Sequence, residues 1–144
     1  MHTAEDILRS KGNSVWSVEP GDTVLHALGV MAEHGIGAVL VLDDEKLVGI
    51  LTERDYARKV VLAGRSSKDS PIRDVMTSHV VCVAPSRSID ECMGLMTEKR
   101  VRHLPVVDQK RVVGLVSIGD LVKATIADRE FTIAQLQSYI TGTG

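Results

Sequence analysis

One seven-residue pattern occurs twice in the chain, as Gly49-Ile50-Leu51-Thr52-Glu53-Arg54-Asp55 and as Gly114-Leu115-Val116-Ser117-Ile118-Gly119-Asp120. The spacing Gly-x-x-Thr/Ser-x-x-Asp suits the capture of a sugar phosphate. Glycine lets a ligand approach the backbone, and the hydroxyl and free N–H groups of a helix start face an anion. The aspartate, one turn into the helix, can accept hydrogen bonds from a pair of sugar hydroxyls. The same residues also have a purely structural reading. Thr or Ser followed three positions later by an acid is a capped helix start. Residue chemistry alone leaves both readings open.

Other chemistry is harder to assemble. His2, His26, His34, His79 and His103 have no ligand spacing with cysteines or acid pairs, so no metal site is expected. There is no nucleophile elbow, no P-loop and no Gly-x-Gly-x-x-Gly after a strand. No proton-transfer constellation emerges, and the expectation is a non-enzyme. Cys82 and Cys92 read as small buried apolar residues, and Met31, Met93 and Met96 as core. Aromatic residues make up 3% of the chain, too few for a platform that stacks single-stranded nucleic acid. The net charge of −2 gives no general attraction to nucleic acid or anionic membrane. With no basic-then-apolar leader and no apolar run of about 18 residues, a cytoplasmic protein is expected.

The elements that must position the two patterns are themselves repeated. Residues 15–55 recur without a gap 65 positions later: Pro20 with Pro85, Gly29 with Gly94, Met31 with Met96, Val41 with Val106, Asp43 with Asp108, Gly49 with Gly114. Two copies are too few for an open solenoid, which needs about three, so a closed pair is the better reading. A short helix capped by Thr3 and ended by Gly12-Asn13 precedes the first copy. Each copy then reads strand–helix–strand–strand–helix. In the first, these are residues 15–18, 24–34, 38–42, 47–51 and 52–63. In the second, they are 80–83, 89–99, 104–107, 111–116 and a helix from Ser117. Ser70-Pro71 restarts a helix between them. A separate helix over about 129–140, with Phe131, Ala134, Leu136 and Ile140, is expected to dock on the body or on another subunit. Residues 141–144 are expected to be loose. The predicted domains are 1–70, the first repeat with the N-terminal helix; 71–128, the second repeat; and 129–144, the C-terminal helix and tail.

The doubled pattern, the order of elements and the stretch Val101-Arg102-His103-Leu104-Pro105-Val106-Val107-Asp108 resemble the cystathionine-β-synthase (CBS) domain family. The resemblance spans about residues 15–124 and is to a free-standing bacterial pair. It implies an α/β fold of two repeats packed about a pseudo-two-fold axis, commonly paired into a homodimer. It also implies two clefts for adenosine-containing ligands: AMP, ADP, ATP, S-adenosylmethionine or NAD. Carried over, Thr52 and Asp55 mark one cleft, Ser117 and Asp120 the other. The family pattern lends each cleft residues from the opposite repeat, which are Gly37-Ala38 and Arg102-His103 here. The Asp55 cleft would then receive a cation and a titratable donor, and would engage the more phosphorylated ligand more tightly. Arg54 and Lys123 are the further candidate phosphate neighbours, with Arg58 and Lys59 on solvated helix faces. One departure is Leu40 in the first copy, where the second has Pro105. No catalytic cofactor is implied. The function expected is a regulatory module sensing adenine nucleotide state for an unidentified protein partner. The alternative is a dimerisation scaffold with vestigial clefts.

Overall fold

The computed structural model describes residues 2–141. Thr3 opens α1 (Ala4–Lys11) with a capping box, its hydroxyl accepting from the Asp6 N–H while the Asp6 carboxylate accepts from the Thr3 N–H. β1 (Ser17–Val18) leads through α2 (Val24–His34) to β2 (Ala38–Asp43), with which it pairs in parallel. β2 turns back as antiparallel β3 (Lys46–Thr52). α3 (Glu53–Asp55) follows and widens into π-type turns over Tyr56–Val61. In the second half, α4 (Ile89–Lys99) precedes the antiparallel pair β4 (His103–Asp108) and β5 (Arg111–Ser117), then α5 (Ile118–Thr141). The architecture is the expected α/β pair of repeats.

The repeat holds down to irregularities. Both hairpins shift register at equivalent places, between Val41 and Leu42 and between Val106 and Val107. Both turns hold two non-glycine residues at positive φ: Asp44 and Glu45 at 51° and 68°, Gln109 and Lys110 at 50° and 66°. A two-residue hairpin matched to strand twist demands that conformation.

Where the halves differ, a residue explains it. Only Val83 of the expected 80–83 strand pairs, in a single parallel bridge to Val106. In the first half the Leu40 N–H donates to the Trp16 carbonyl. The corresponding residue in the second half is Pro105, which has no N–H, so the ladder shortens there. The helix expected after Ser70-Pro71 is a single 3-10 turn, Ile72–Asp74. The C-terminal helix is not separate, because nothing between Ile118 and Thr141 breaks α5. Of the tail expectation, residues 142–144 lie outside the described residues.

Strand alternation sends side chains to two interfaces. Val39, Val41 and Leu51 join Val18, Val24, Ala27, Met31 and Val60 in the first core, together with Ile72 and Val75 from the connection. Leu104, Val106 and Val116 join Ile89, Cys92, Met96, Leu121 and Ala124 in the second, together with Ala4, Ile7 and Leu8 of α1. Ala38, Leu40 and Ile50 face the other way and pack with Val15, Leu47, Val80, Val112 and Leu115. Grouping α1 with residues 1–70 follows chain order, whereas its packing is against the second repeat. Its backbone agrees: the Ala4 and Glu5 N–H groups donate to the Arg87 and Pro85 carbonyls. The connection crosses the opposite way, with the Ile72 and Arg73 N–H groups on the Asp22 and Pro20 carbonyls.

These crossings explain the motif glycines. A Cβ on Gly49 would lie 2.5 Å from Met76 Sδ and 3.1 Å from the Thr77 carbonyl, and one on Gly114 would lie 2.5 Å from Leu8 Cδ2. Each glycine makes room for a crossing side chain. Gly114→Ala should cost about 1–3 kcal/mol by overpacking. Because the clash is with Leu8, adding Leu8→Ala should cost less than the sum of the two single changes. Chemical denaturation of the four proteins checks this, and strict additivity would refute the contact.

Candidate functional site

Both motifs sit at strand-to-helix corners, where a hydroxyl residue leaves the strand extended and caps the helix. At the first, the Asp55 carboxylate accepts from the Thr52 N–H and Thr52 Oγ1, each at 3.1 Å, and the Asp55 N–H donates back to Thr52 Oγ1. Its other oxygen accepts from Thr77 Oγ1 at 3.0 Å and lies 3.2 Å from Lys59 Nζ. Asp55 is 8% exposed, so both of its oxygens are engaged and nearly closed to solvent.

The second motif repeats the cap but not the surroundings. Asp120 Oδ2 accepts from the Ser117 N–H at 2.8 Å and from Lys11 Nζ at 2.7 Å. Its N–H donates to Ser117 Oγ at 3.2 Å. Among the described residues no hydrogen bond reaches Oδ1, and the side chain is 22% exposed. Lys11 also donates to the Leu115 carbonyl at 2.9 Å. Burial pushes the Asp120 carboxyl up, but Lys11 and Ser117 more than offset it and hold it below its usual range.

The remaining predicted site residues are placed mostly against their own repeat. The Gly37 carbonyl accepts from the Glu53 N–H, and Ala38 is opposite Thr52 in the β2–β3 register. The Arg102 carbonyl accepts from the Ile118 N–H, and His103 is opposite Ser117. Ala38, 1% exposed, belongs to the core between the sheets. The side chain that reaches across is Arg54, whose guanidinium donates to the Arg100 carbonyl at 3.1 Å. His103 lies where both motifs act on it. Burial lowers its basicity first, Asp120 and Glu53 raise it, and Lys11 and Arg102 lower it, leaving it below the ordinary value of 6.5. Arg102 and Lys123 have exposed side chains. His34 is half-buried and stacked on Trp16 with ring centroids 3.5 Å apart.

Three residues at the motif aspartates were not singled out from sequence as site residues: Lys11, Thr77 and Lys59. The sequence suggests a solvated face for Lys59, although its i,i+4 spacing from Asp55 is the one local sign of this pair. Lys11 and Thr77 come from crossing segments outside the 65-residue register. A depression of about 350 Å³ beside Gly37 and Glu53 adjoins the first motif. A larger groove, about 540 Å³ between the start of α4 and the middle of α5, holds neither motif. Among the described residues no cluster of three or more His, Cys, Asp or Glu is placed to hold a metal. No described helix is long and apolar enough to cross a membrane.

Two interlocked α/β repeats, each ending in a capped Thr/Ser-x-x-Asp corner, define a paired-repeat module. A family model for the CBS domain matches the chain twice, over residues 3–62 and 72–127, and the chain belongs to that family as a tandem pair. The mitochondrial CBS domain-containing protein CBSX3 of Arabidopsis thaliana is 39% identical over 150 residues, 97% of this chain and 72% of that protein. The solved structure of a CBS-domain protein from Burkholderia ambifaria MC40-6 is 54% identical with a TM-score of 0.85, covering 88% of this chain and 95% of that one. The CBS domain pair of protein MJ0100, in complex with 5′-methylthioadenosine and S-adenosyl-L-methionine, shares the fold at 24% identity and a TM-score of 0.77, covering 88% and 97%.

The depressed basicity of His103 has a measurable consequence. Its folded-state value lies below the unfolded one, so only the unfolded chain gains a proton as pH first falls below about 6.5. Stability should therefore decline from pH 7 towards 5, and His103→Gln should flatten that decline. Denaturant midpoints across this range decide it, and an unchanged slope would count against a half-buried His103 of lowered basicity.

Proposed function

We propose that the chain is a non-catalytic regulatory module that binds an adenosine-containing nucleotide (AMP, ADP, ATP or NAD) between its two repeats. The observation that carries this reading is the second corner. Ser117 and Asp120 are fixed by reciprocal hydrogen bonds at the start of a 24-residue helix, with one carboxylate oxygen still able to accept. A ribose diol suits such an acceptor. The MJ0100 pair, which has this fold, supports adenosine compounds as the ligand class. Ligand touching both repeats favours one arrangement of them, and a protein partner reads that population shift. No bond is made or broken.

In this reading the Asp120 cleft fills first, the reverse of the order suggested by the placement of Arg102 and His103 in sequence. At Asp55 a ribose must displace Thr77 or Lys59 from a carboxylate that is already satisfied. Asp120→Asn should weaken the first binding event about tenfold or more, the worth of a charge-assisted hydrogen bond. Asp55→Asn should affect that event little and lower the melting temperature more. Calorimetry and melting with AMP and NAD measure both, and equal effects on binding would refute the order. The closed state of Asp55 favours a second reading, a scaffold with vestigial clefts. It prevails if no adenosine compound raises the melting temperature, since a ligand selective for the folded state must do so.

The module is proposed to work as a homodimer through α5. Ile118, Val122, Ile126, Ile133 and Leu136 are 38–56% exposed and lie along one face at helical spacing. From Val122 the steps to Ile126, Arg129, Ile133 and Leu136 alternate four and three, the seam of a helix pair. Ile126→Asp combined with Ile133→Asp should convert a dimer to monomer in sedimentation while leaving the fold intact. A wild-type chain that sediments as a monomer would end this part of the proposal.

A further inference from the structure

The internal repeat extends beyond its 65-residue register when the flanks are compared at 68. Asp6 then corresponds to Asp74, Ile7 to Val75 and Leu8 to Met76. These are the two crossing segments. Each seats an apolar side chain over the motif glycine of the other repeat, Leu8 over Gly114 and Met76 over Gly49. Each also brings a polar side chain to that repeat's motif aspartate, but not the same one. Thr77 brings a neutral hydroxyl to Asp55, and Lys11 brings an ammonium to Asp120.

The position of Lys11 is fixed by the fold. It is the last residue of α1, where a cation complements the helix C-terminus, and Leu8, Ile7 and Ala4 anchor that helix in the second core. Its side chain is 37% exposed, so Nζ reaches Asp120 and the Leu115 carbonyl from the open side. One ribose hydroxyl can take Oδ1 of Asp120 without displacing a partner, while the second, at Oδ2, competes with this ammonium. A neutral nucleoside would leave the displaced ammonium with only the Leu115 carbonyl. A nucleotide supplies the diol and, on the same ligand, a phosphate to receive the cation.

We infer that Lys11 is the phosphate-selecting residue of the Asp120 cleft, held by Asp120 in the ligand-free protein and passed to the ligand's phosphate on binding. The inference rests on the nucleotide reading above and deepens it: the cation is supplied by the N-terminal helix, from outside both motif copies. It makes ligand charge, rather than the adenine ring, the determinant that engages α1. Arg102 is the rival cation, because its backbone carbonyl accepts from the first N–H of α5 and its side chain is exposed.

The test is a titration of ¹⁵N-labelled full chain with AMP and with adenosine at low ionic strength, following the Leu115 and Ser117 amides. Wild type should bind AMP about tenfold or more tighter than adenosine, the scale of one charge-assisted hydrogen bond. Lys11→Met should bring the ratio to within about twofold, and Lys11→Arg should retain most of it. Melting curves of both variants confirm that they are folded. A ratio that survives Lys11→Met in folded protein overturns the inference, as does one removed by Arg102→Gln instead. If neither compound moves those amides in wild type, the nucleotide reading falls and the inference with it.

Discussion

The structure depends on one exchange. Each repeat lends the segment that precedes it to the other repeat, and each sheet has a glycine where that segment must pass. A half of about 50 residues is marginal alone, because too little of its surface is buried. The exchange completes both cores. Ile72 and Val75, 0% and 1% exposed, close the first, while Ala4 and Ile7, 0% and 3% exposed, close the second. Neither half is therefore a contiguous stretch of chain. The third apolar layer, between the sheets, then holds the two completed units together.

The same exchange gives the two corners different characters. Their caps are alike, with hydroxyl and carboxylate bonded reciprocally across one turn. The structural reading of the motif is thus correct as geometry, and it does not compete with a binding role. What separates the corners is the crossing segment: Thr77 completes the shell around Asp55, whereas Lys11 bonds Asp120 Oδ2 and, among the described residues, none bonds Oδ1. Lys59 strengthens the contrast, since the corresponding position after Asp120 is Ala124.

Departures from symmetry elsewhere act through the backbone. Pro105 in place of Leu40 removes a donor and shortens a ladder. Arg100 in place of Gly35 ends α4 with a side-chain-bearing residue at φ 56°, a conformation glycine adopts more cheaply. The Arg100 carbonyl is also where Arg54 crosses between repeats. A helix end that is strained in isolation is thereby tied to the other repeat.

The sequence by itself determined the repeat, the class of fold, nearly every helix start and the two motif corners. These are local properties: caps act over three residues, hydrophobic period over ten or so, and a turn over four. It also marked Gly49 and Gly114 as special, though it suggested a ligand as the reason when the reason is Met76 and Leu8. Only the tertiary structure decided which segment belongs to which core, because α1 and residues 70–77 satisfy their apolar faces at distant positions that no local pattern names. It alone brought Lys11 to Asp120, 109 residues apart. It also showed that the doubled corners differ most in what each crossing segment places beside the aspartate.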